Sequence, residues 1–291
     1  MCAQVLGMAL KDVPRAAYYI NTKCCRYQPD ILNMFDFSAS RTLQSIDESI
    51  ERMGCGYLDA IQIHDPEYAP KLHGLELSDP DCIIYKETLP AMHQAKEAGK
   101  VRLVGITGFP LLIHKEMITN SPVPIDLCLS YCHYSMNDTS LLTDLLPFLS
   151  EQGVALINAS AISMGLLSSR GPPGWHPATP EIRQACVAAN ALCVEKGVDI
   201  SKLALHFTLA EPSIPTTLVS TASSSRMVQN IAAVYELGLL SALEAATMEE
   251  VLEKIFRPLS NATWTDVEPN EYAEMLAKAR AGEKVGTLST N

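Results

Sequence analysis

No stretch of the 291 residues approaches the roughly 20 consecutive apolar positions that a membrane-crossing helix needs. The opening MCAQVLGMALKDVPR has neither a charged start nor a clear cleavage site, so it does not read as a secretory signal. A basic block is also missing. The formal net charge is -11 with acidic residues spread along the chain, which argues against a phosphate-backbone ligand. Neither nucleic acid nor membrane is an expected partner, and the expected location is cytoplasmic. No CxxC pair occurs, and nine cysteines, an odd number and scattered, read as reduced thiols rather than a disulfide framework. Cys128, Cys132 and His133 lie close together, but no second ligand pair follows at a zinc-binding spacing, so no metal is expected.

What is present is ample material for a large core, with 47% hydrophobic and 19% charged residues. Apolar, β-rich runs recur at Tyr18–Thr22, Leu58–Ile63, Val101–Thr107, Ile125–Tyr131, Val154–Ala159 and Thr216–Ser220, each followed by a segment of helical period. Near-continuous runs such as LDAIQI and VALINA suit strands covered on both faces, and their alternation with helices implies a parallel α/β fold. The spacing predicts a helix over Ser40–Met53 with Leu43, Ile46, Ile50 and Met53 on its buried face. Others are expected over Leu141–Gln152, Ile200–Leu209 and Arg226–Leu237. GLLSSRGPPGWHPATP, too rich in glycine and proline for a regular element, reads as a long loop after the fifth strand. No linker divides the chain, so one domain is expected over residues 1–260, with a tail over 261–291 containing a helical candidate at Asn270–Ala281.

In βα folds, sites gather where the carboxyl ends of strands meet the following loops. Lys23 ends the first visible run, His64 the second in YLDAIQIHDPEY, and Thr107-Gly108 the third in RLVGITGF. A lone strand-end lysine or histidine is commonly structural. Three polar groups on one rim point to chemistry.

The segments INTKCCRY, DAIQIHDPEY, VRLVGITGFP, LSYCHYSMND, GLLSSRGPPGWHPA and SSSRMVQNIAAV stand in the order found in aldo-keto reductases, and the chain resembles the L-galactose dehydrogenase branch over about residues 4 to 240. The resemblance implies a TIM-type (β/α)8 barrel and NAD(P)-dependent hydride transfer to or from a carbonyl or alcohol. The reaction it implies is oxidation of the anomeric carbon of an aldose such as L-galactose to a lactone. That family works with an Asp, Tyr, Lys and His set, in which a lysine ammonium lowers the pKa of a catalytic phenol. By matching motifs, Lys23 takes the lysine role and His64 the histidine role.

The same resemblance places Thr107 and Gly108 against the nicotinamide carboxamide, Gly108 through backbone only. Ser130 and Tyr131 face the nicotinamide, unless that tyrosine is simply core. Ser220 and Thr221 fall near the pyrophosphate, and Ser224, Arg226, Gln229 and Asn230 around the adenosine half. Trp175 and His176 read either as a lid against a sugar substrate or as residues that pin their own loop. NAD is favoured over NADP. Oligomeric state is not read from the sequence.

In the family, two strands and the helix between them precede the segment matching QVLGMALKDVPRAAYYINTK, and they carry the aspartate and tyrosine. Only MCA stands before Gln4, so an incomplete barrel lacking those two residues is the expectation, with the activity of the chain as given in question. A non-catalytic cofactor-binding or accessory protein, or an unstable fragment, is the alternative.

Overall fold

The computed structural model of the chain describes residues 2–286; Met1 and the last five positions of the expected 261–291 tail lie outside the described residues. Helices and strands alternate: α1 (Cys2–Leu10), β1 (Asn21–Cys24), α2 (Ala39–Met53), β2 (Leu58–His64), α3 (Ala69–His73), α4 (Leu89–Glu97), β3 (Val101–Gly108), α5 (Leu111–Asn120), β4 (Leu127–Tyr131), α6 (Ser140–Asp144), α7 (Leu146–Gln152), β5 (Ala155–Ala159), α8 (Pro180–Glu195), α9 (Ile200–Leu209), β6 (Thr217–Leu218), α10 (Ser224–Tyr235), α11 (Ala242–Val251) and α12 (Val267–Arg280). The six strands follow one another in chain order in a single sheet. This is the α/β alternation expected from the apolar runs. The chain divides into two compact units. The first holds residues up to Cys128, Gly153–Ala155 and the segment from Glu268; the second holds Leu129–Gln152 and Leu156–Val267.

In the first unit β1, β2 and β3 pair in parallel, with Lys23 opposite Gln62 and His64 opposite Thr107. Leu58, Ile61 and Ile63 of β2 and Val104 and Ile106 of β3 are fully or almost fully buried, as a strand covered on both faces requires. β1 starts three residues later than the Tyr18–Thr22 run suggests, and Tyr19 is 88% exposed rather than buried. The cause is Arg15, whose guanidinium donates to the carbonyls of Tyr18, Cys55 and Tyr57 and to Asp59. It holds the Tyr18 carbonyl away from the sheet, while Asp59 accepts the Ile20 N–H at 2.7 Å and sets where pairing begins.

Helix α2 begins on Ser38, whose hydroxyl accepts the Arg41 N–H, and ends on Gly54 in the left-handed conformation, φ 61°. Its buried row is Thr42, Ser45, Ile46, Ser49 and Met53, with Leu43 and Ile50 only half-buried, so the expected face is rotated. Small hydroxyl side chains let the backbone come close to β1 and α4, which it contacts. On its other side α1 crosses at Gly7, where a Cβ would lie 2.8 Å from the Arg52 carbonyl oxygen. A side chain there would force the two helices apart. Helix α12 returns to this unit and closes an aromatic cluster. Tyr272 meets Phe35 and Tyr68 edge-on at 5.4 and 5.1 Å, and its hydroxyl donates to the Ile31 carbonyl.

In the second unit β5 and β6 pair in parallel, Asn158 opposite Thr217 and Ala159 opposite Leu218, so the sixth strand is shorter than Thr216–Ser220. The expected helix over Leu141–Gln152 is two, α6 and α7, broken at Leu145. Pro147 has no N–H to continue the first helix's ladder to Thr143. Helices α8, α9, α10 and α11 pack together here, tied by a Lys196–Glu250 ion pair and by Lys202 bonding Glu244 at 2.7 Å. A reciprocal Ser241–Glu244 cap starts α11.

Candidate active site

Parallel pairing puts the carboxyl ends of β1, β2 and β3 on one edge of the first unit, so Lys23, His64, Thr107 and Gly108 come together there. Lys23 stands opposite Gln62, and His64, two residues on, points to the same side of β2 as Gln62. Lys23 and His64 therefore share a face, and Lys23 acts on the charge of His64.

Burial comes first for both. The surrounding protein lowers the Lys23 pKa, the Asp65 carboxylate opposes that shift, and Arg26 adds to it. Lys23 still reaches open solvent, which screens the charges around it. Burial takes His64 down to about 4, against Asp65 and with the help of Lys23 and Arg26, so the imidazole is neutral at pH 7. A lysine amine beside a neutral imidazole is an arrangement able to donate to an oxygen that gains negative charge.

Beneath this pair lies a buried acidic group that sequence reasoning did not find. Asp65, 4% exposed, adopts the left-handed conformation at φ 53°, and its N–H donates to the Thr107 carbonyl at 2.8 Å. Its Oδ2 accepts from Arg26 Nη1 at 2.6 Å and lies 3.5 Å from His64 Nε2. Arg26 itself is packed over the rings of Phe35 and Tyr68. Glu67 is buried as well. Its Oε1 accepts the Phe109 N–H at 2.9 Å, while Oε2 has no partner among the described residues and abuts Gly108. Burial, reinforced by Asp65, pushes Glu67 up to about 8, and burial then Asp65 push Glu268 on α12 up to about 7. The available signal was the run HDPEY: two carboxylates directly after a core strand, where solvated charges have little room.

Among tyrosines near Lys23 in sequence, Tyr27 sits under the Arg41 guanidinium at 3.8 Å, and burial pushes its phenol far above the ordinary value. Cys24 and Cys25 are fully buried with their sulfurs 3.5 Å apart.

In the second unit, Ser130 on β4 is fully buried and its hydroxyl has no partner among the described residues, so it is available to an amide of a ligand. Tyr131 next to it is half-buried. Ser220, Ser224, Arg226 and Gln229 are exposed, Thr221 and Asn230 half-exposed. Thr221 Oγ1 accepts the Ser223 N–H, and Ser223 in turn caps α10 through the Arg226 N–H. The twelve-residue α10 thus presents its first-turn N–H groups and positive dipole end among hydroxyls, chemistry suited to a phosphate group. The residues present fit a dinucleotide in these two respects.

Trp175 stands exposed, its ring nearly parallel to that of His176. His176, 3% exposed, lies with Nε2 3.2 Å from the Ser163 carbonyl and with Nδ1 accepting the Ala178 N–H, so both ring nitrogens hold the loop. No residue pattern marks the turn that His176 grips. Ser160, Ser163 and Met164 all have positive φ, at 65°, 49° and 53°, followed by Gly165 at 100°. Backbone of this kind, directly after the carboxyl end of β5, persists only where surrounding contacts enforce it.

The comparisons with known proteins agree in direction. The aldo/keto reductase family model matches residues 3–253. The L-galactose dehydrogenase of Arabidopsis thaliana is 45% identical over 264 residues, covering 90% of this chain and 77% of that protein. A D-arabinose 1-dehydrogenase of Saccharomyces cerevisiae is 27% identical over 279 residues, covering 92% and 79%. Among solved structures, an aldo-keto reductase of Bacillus halodurans in its holo form superposes with a TM-score of 0.57 at 24% identity, covering 86% of this chain and 76% of that one, which speaks for the fold. With polar groups gathered at the strand ends and a match across most of its length, the chain belongs to the aldo/keto reductase family.

Proposed function

We propose that this chain serves an NAD(P)-dependent oxidation of an aldose at its anomeric carbon to a lactone, with L-galactose as the first substrate to test and NAD as the preferred cofactor. The observation that carries this reading is the Lys23–His64 pair at adjacent strand ends, a lysine amine beside a neutral imidazole. It is supported by the 45% identity to an L-galactose dehydrogenase. Neutral His64 donates a hydrogen bond to the sugar oxygen. Lys23, whose side chain reaches solvent, lies beside that oxygen and favours the negative charge left on it as its proton passes to water at the open strand ends. A nicotinamide, when bound, accepts the hydride from carbon.

The remaining assignments belong to the same proposal. Thr107 and the Gly108 backbone, with Ser130 and Tyr131, hold the nicotinamide end. Ser220 and Thr221 meet the pyrophosphate; Ser224, Arg226, Gln229 and Asn230 surround the adenosine. Trp175 offers its exposed face to the sugar ring, and His176 fixes the loop that carries it.

The test is titration of the chain with NADH and NADPH, read by fluorescence, followed by cofactor reduction with L-galactose and other aldoses. Binding of NADH with turnover that falls roughly 10²–10³-fold in Lys23→Met supports the reading. Absence of cofactor binding, or turnover indifferent to Lys23 and His64, refutes it.

A further inference from the structure

The Arg26–Asp65 pair has no place in the chemistry described so far, yet it is the most tightly held ionic contact at the rim. We propose that Asp65, clamped by Arg26, is a positioning residue for the Lys23–His64 pair: its carboxylate orients the His64 ring and balances the cations gathered at the strand ends. The proposal rests on the active-site reading of Lys23 and His64 and deepens it.

Three independent features argue for this role. The first is conformational: Asp65 is a non-glycine residue at φ 53°, a sparsely populated region that native contacts must enforce. Here the enforcing contact is its own N–H bonded to the Thr107 carbonyl, which ties the end of β2 to the end of β3. The second is geometric, since one oxygen, Oδ2, lies 2.6 Å from Arg26 Nη1 and 3.5 Å from His64 Nε2. At that separation the carboxylate acts on the ring through its charge, leaving the N–H of the neutral imidazole for the sugar oxygen.

The third is packing. Arg26 cannot swing away, because its guanidinium lies over Phe35 and Tyr68 inside the cluster that Tyr272 closes. The groups facing His64 are Lys23 on β1, Arg26 just beyond it and Asp65; those facing Asp65 further include Glu67, Tyr68 and, from α12, Glu268. With Glu67 and Glu268 held toward their protonated forms, Asp65 is the carboxylate that supplies negative charge beside Lys23 and His64.

The experiment uses the full chain labelled at histidine ring nitrogens, with the His64 signal identified by its loss in His64→Gln and its titration followed from neutral pH downward. Asp65→Asn removes the charge while keeping a residue that accepts the left-handed conformation. It moves the His64 titration to lower pH. Arg26→Gln removes the opposing cation and moves it to higher pH. Opposite displacements support the proposal; no displacement, or two in the same direction, overturns it. Should Asp65→Asn fail to show a cooperative melt, Arg26→Gln decides alone, an upward move supporting and any other result overturning.

In active protein, Asp65→Asn lowers kcat and shifts the pH–rate profile with NADH binding unchanged. A variant whose only defect is weaker cofactor binding overturns the positioning role. Failure of the unsubstituted chain to bind cofactor counts against the proposed function, whereas the histidine titration still reads this proposal.

Discussion

Gly108 offers the sharpest separation of packing from ligand binding at the rim. A Cβ added there would lie 2.6 Å from Glu67 Oε2 and 3.3 Å from the carboxyl carbon. Gly108→Ala must therefore displace a buried carboxyl group that also accepts the Phe109 N–H at 2.9 Å. Overpacking costs about 1–3 kcal/mol, and loss of a hydrogen bond to a buried group about 1–3 kcal/mol more. The expected destabilisation is thus about 2–6 kcal/mol, read as a lowered midpoint in urea with unchanged slope. Glu67→Asp draws the carboxyl back by one methylene, so the double variant should recover at least half of the Gly108→Ala loss. NADH affinity of the double variant should then stay near that of Glu67→Asp alone if Gly108 contributes only backbone. A Gly108→Ala chain as stable as the parent, or a double variant whose losses simply add, would refute the reasoning.

His176 and His64, both held down to about 4 by burial, bind fewer protons folded than unfolded, so their stabilisation is full above about 6.5 and lost as pH falls toward 4. For His176 the full effect is about 3 kcal/mol, and His176→Phe should flatten the acid limb of a urea-midpoint profile. Glu67 and Glu268 act the other way: their folded pKa values are raised, so stability falls as pH rises through the range from about 4.5 to 8, and Glu67→Gln should flatten that limb. Ser38→Ala removes the α2 cap and should cost about 1 kcal/mol in thermal or urea unfolding; no measurable loss would show that the Arg41 N–H finds water instead. Cys24, Cys25, Cys55, Cys82, Cys128, Cys132, Cys186 and Cys193 are all buried, so their reaction with a disulfide reagent should proceed only as fast as the chain unfolds, and prompt reaction of several of them would contradict the packing.

The elements most legible in the sequence are those decided locally. LDAIQI needed no context, because a continuous apolar run has few other uses, and it became β2 over Leu58–His64. Ile200–Leu209 likewise follows Asp199, whose side chain caps it. Tyr18 and Tyr19 misled because aromatic residues favour strands, whereas the start of β1 is fixed by Arg15 reaching carbonyls some forty residues away. The α2 face misled because apolarity was taken as the measure of burial, while close approach to β1 selected serine and threonine.

At the rim, Lys23 and His64 were visible from motif and position. Arg26, Asp65 and Glu67 were not, since charged residues are read as surface until a fold shows what covers them.

The covering of Arg26 has a consequence for the order in which the protein is made. Within the first unit each strand pairs with one emerging just before it, so β1, β2 and β3 assemble while synthesis proceeds. Tyr272 and Glu268 belong to α12, near the far end of the chain, yet they complete the surroundings of Arg26. The aromatic cage therefore stays open on the nascent chain, and a ribosome-bound product stopped before α12 would carry Lys23 and His64 with their ionic support unfinished.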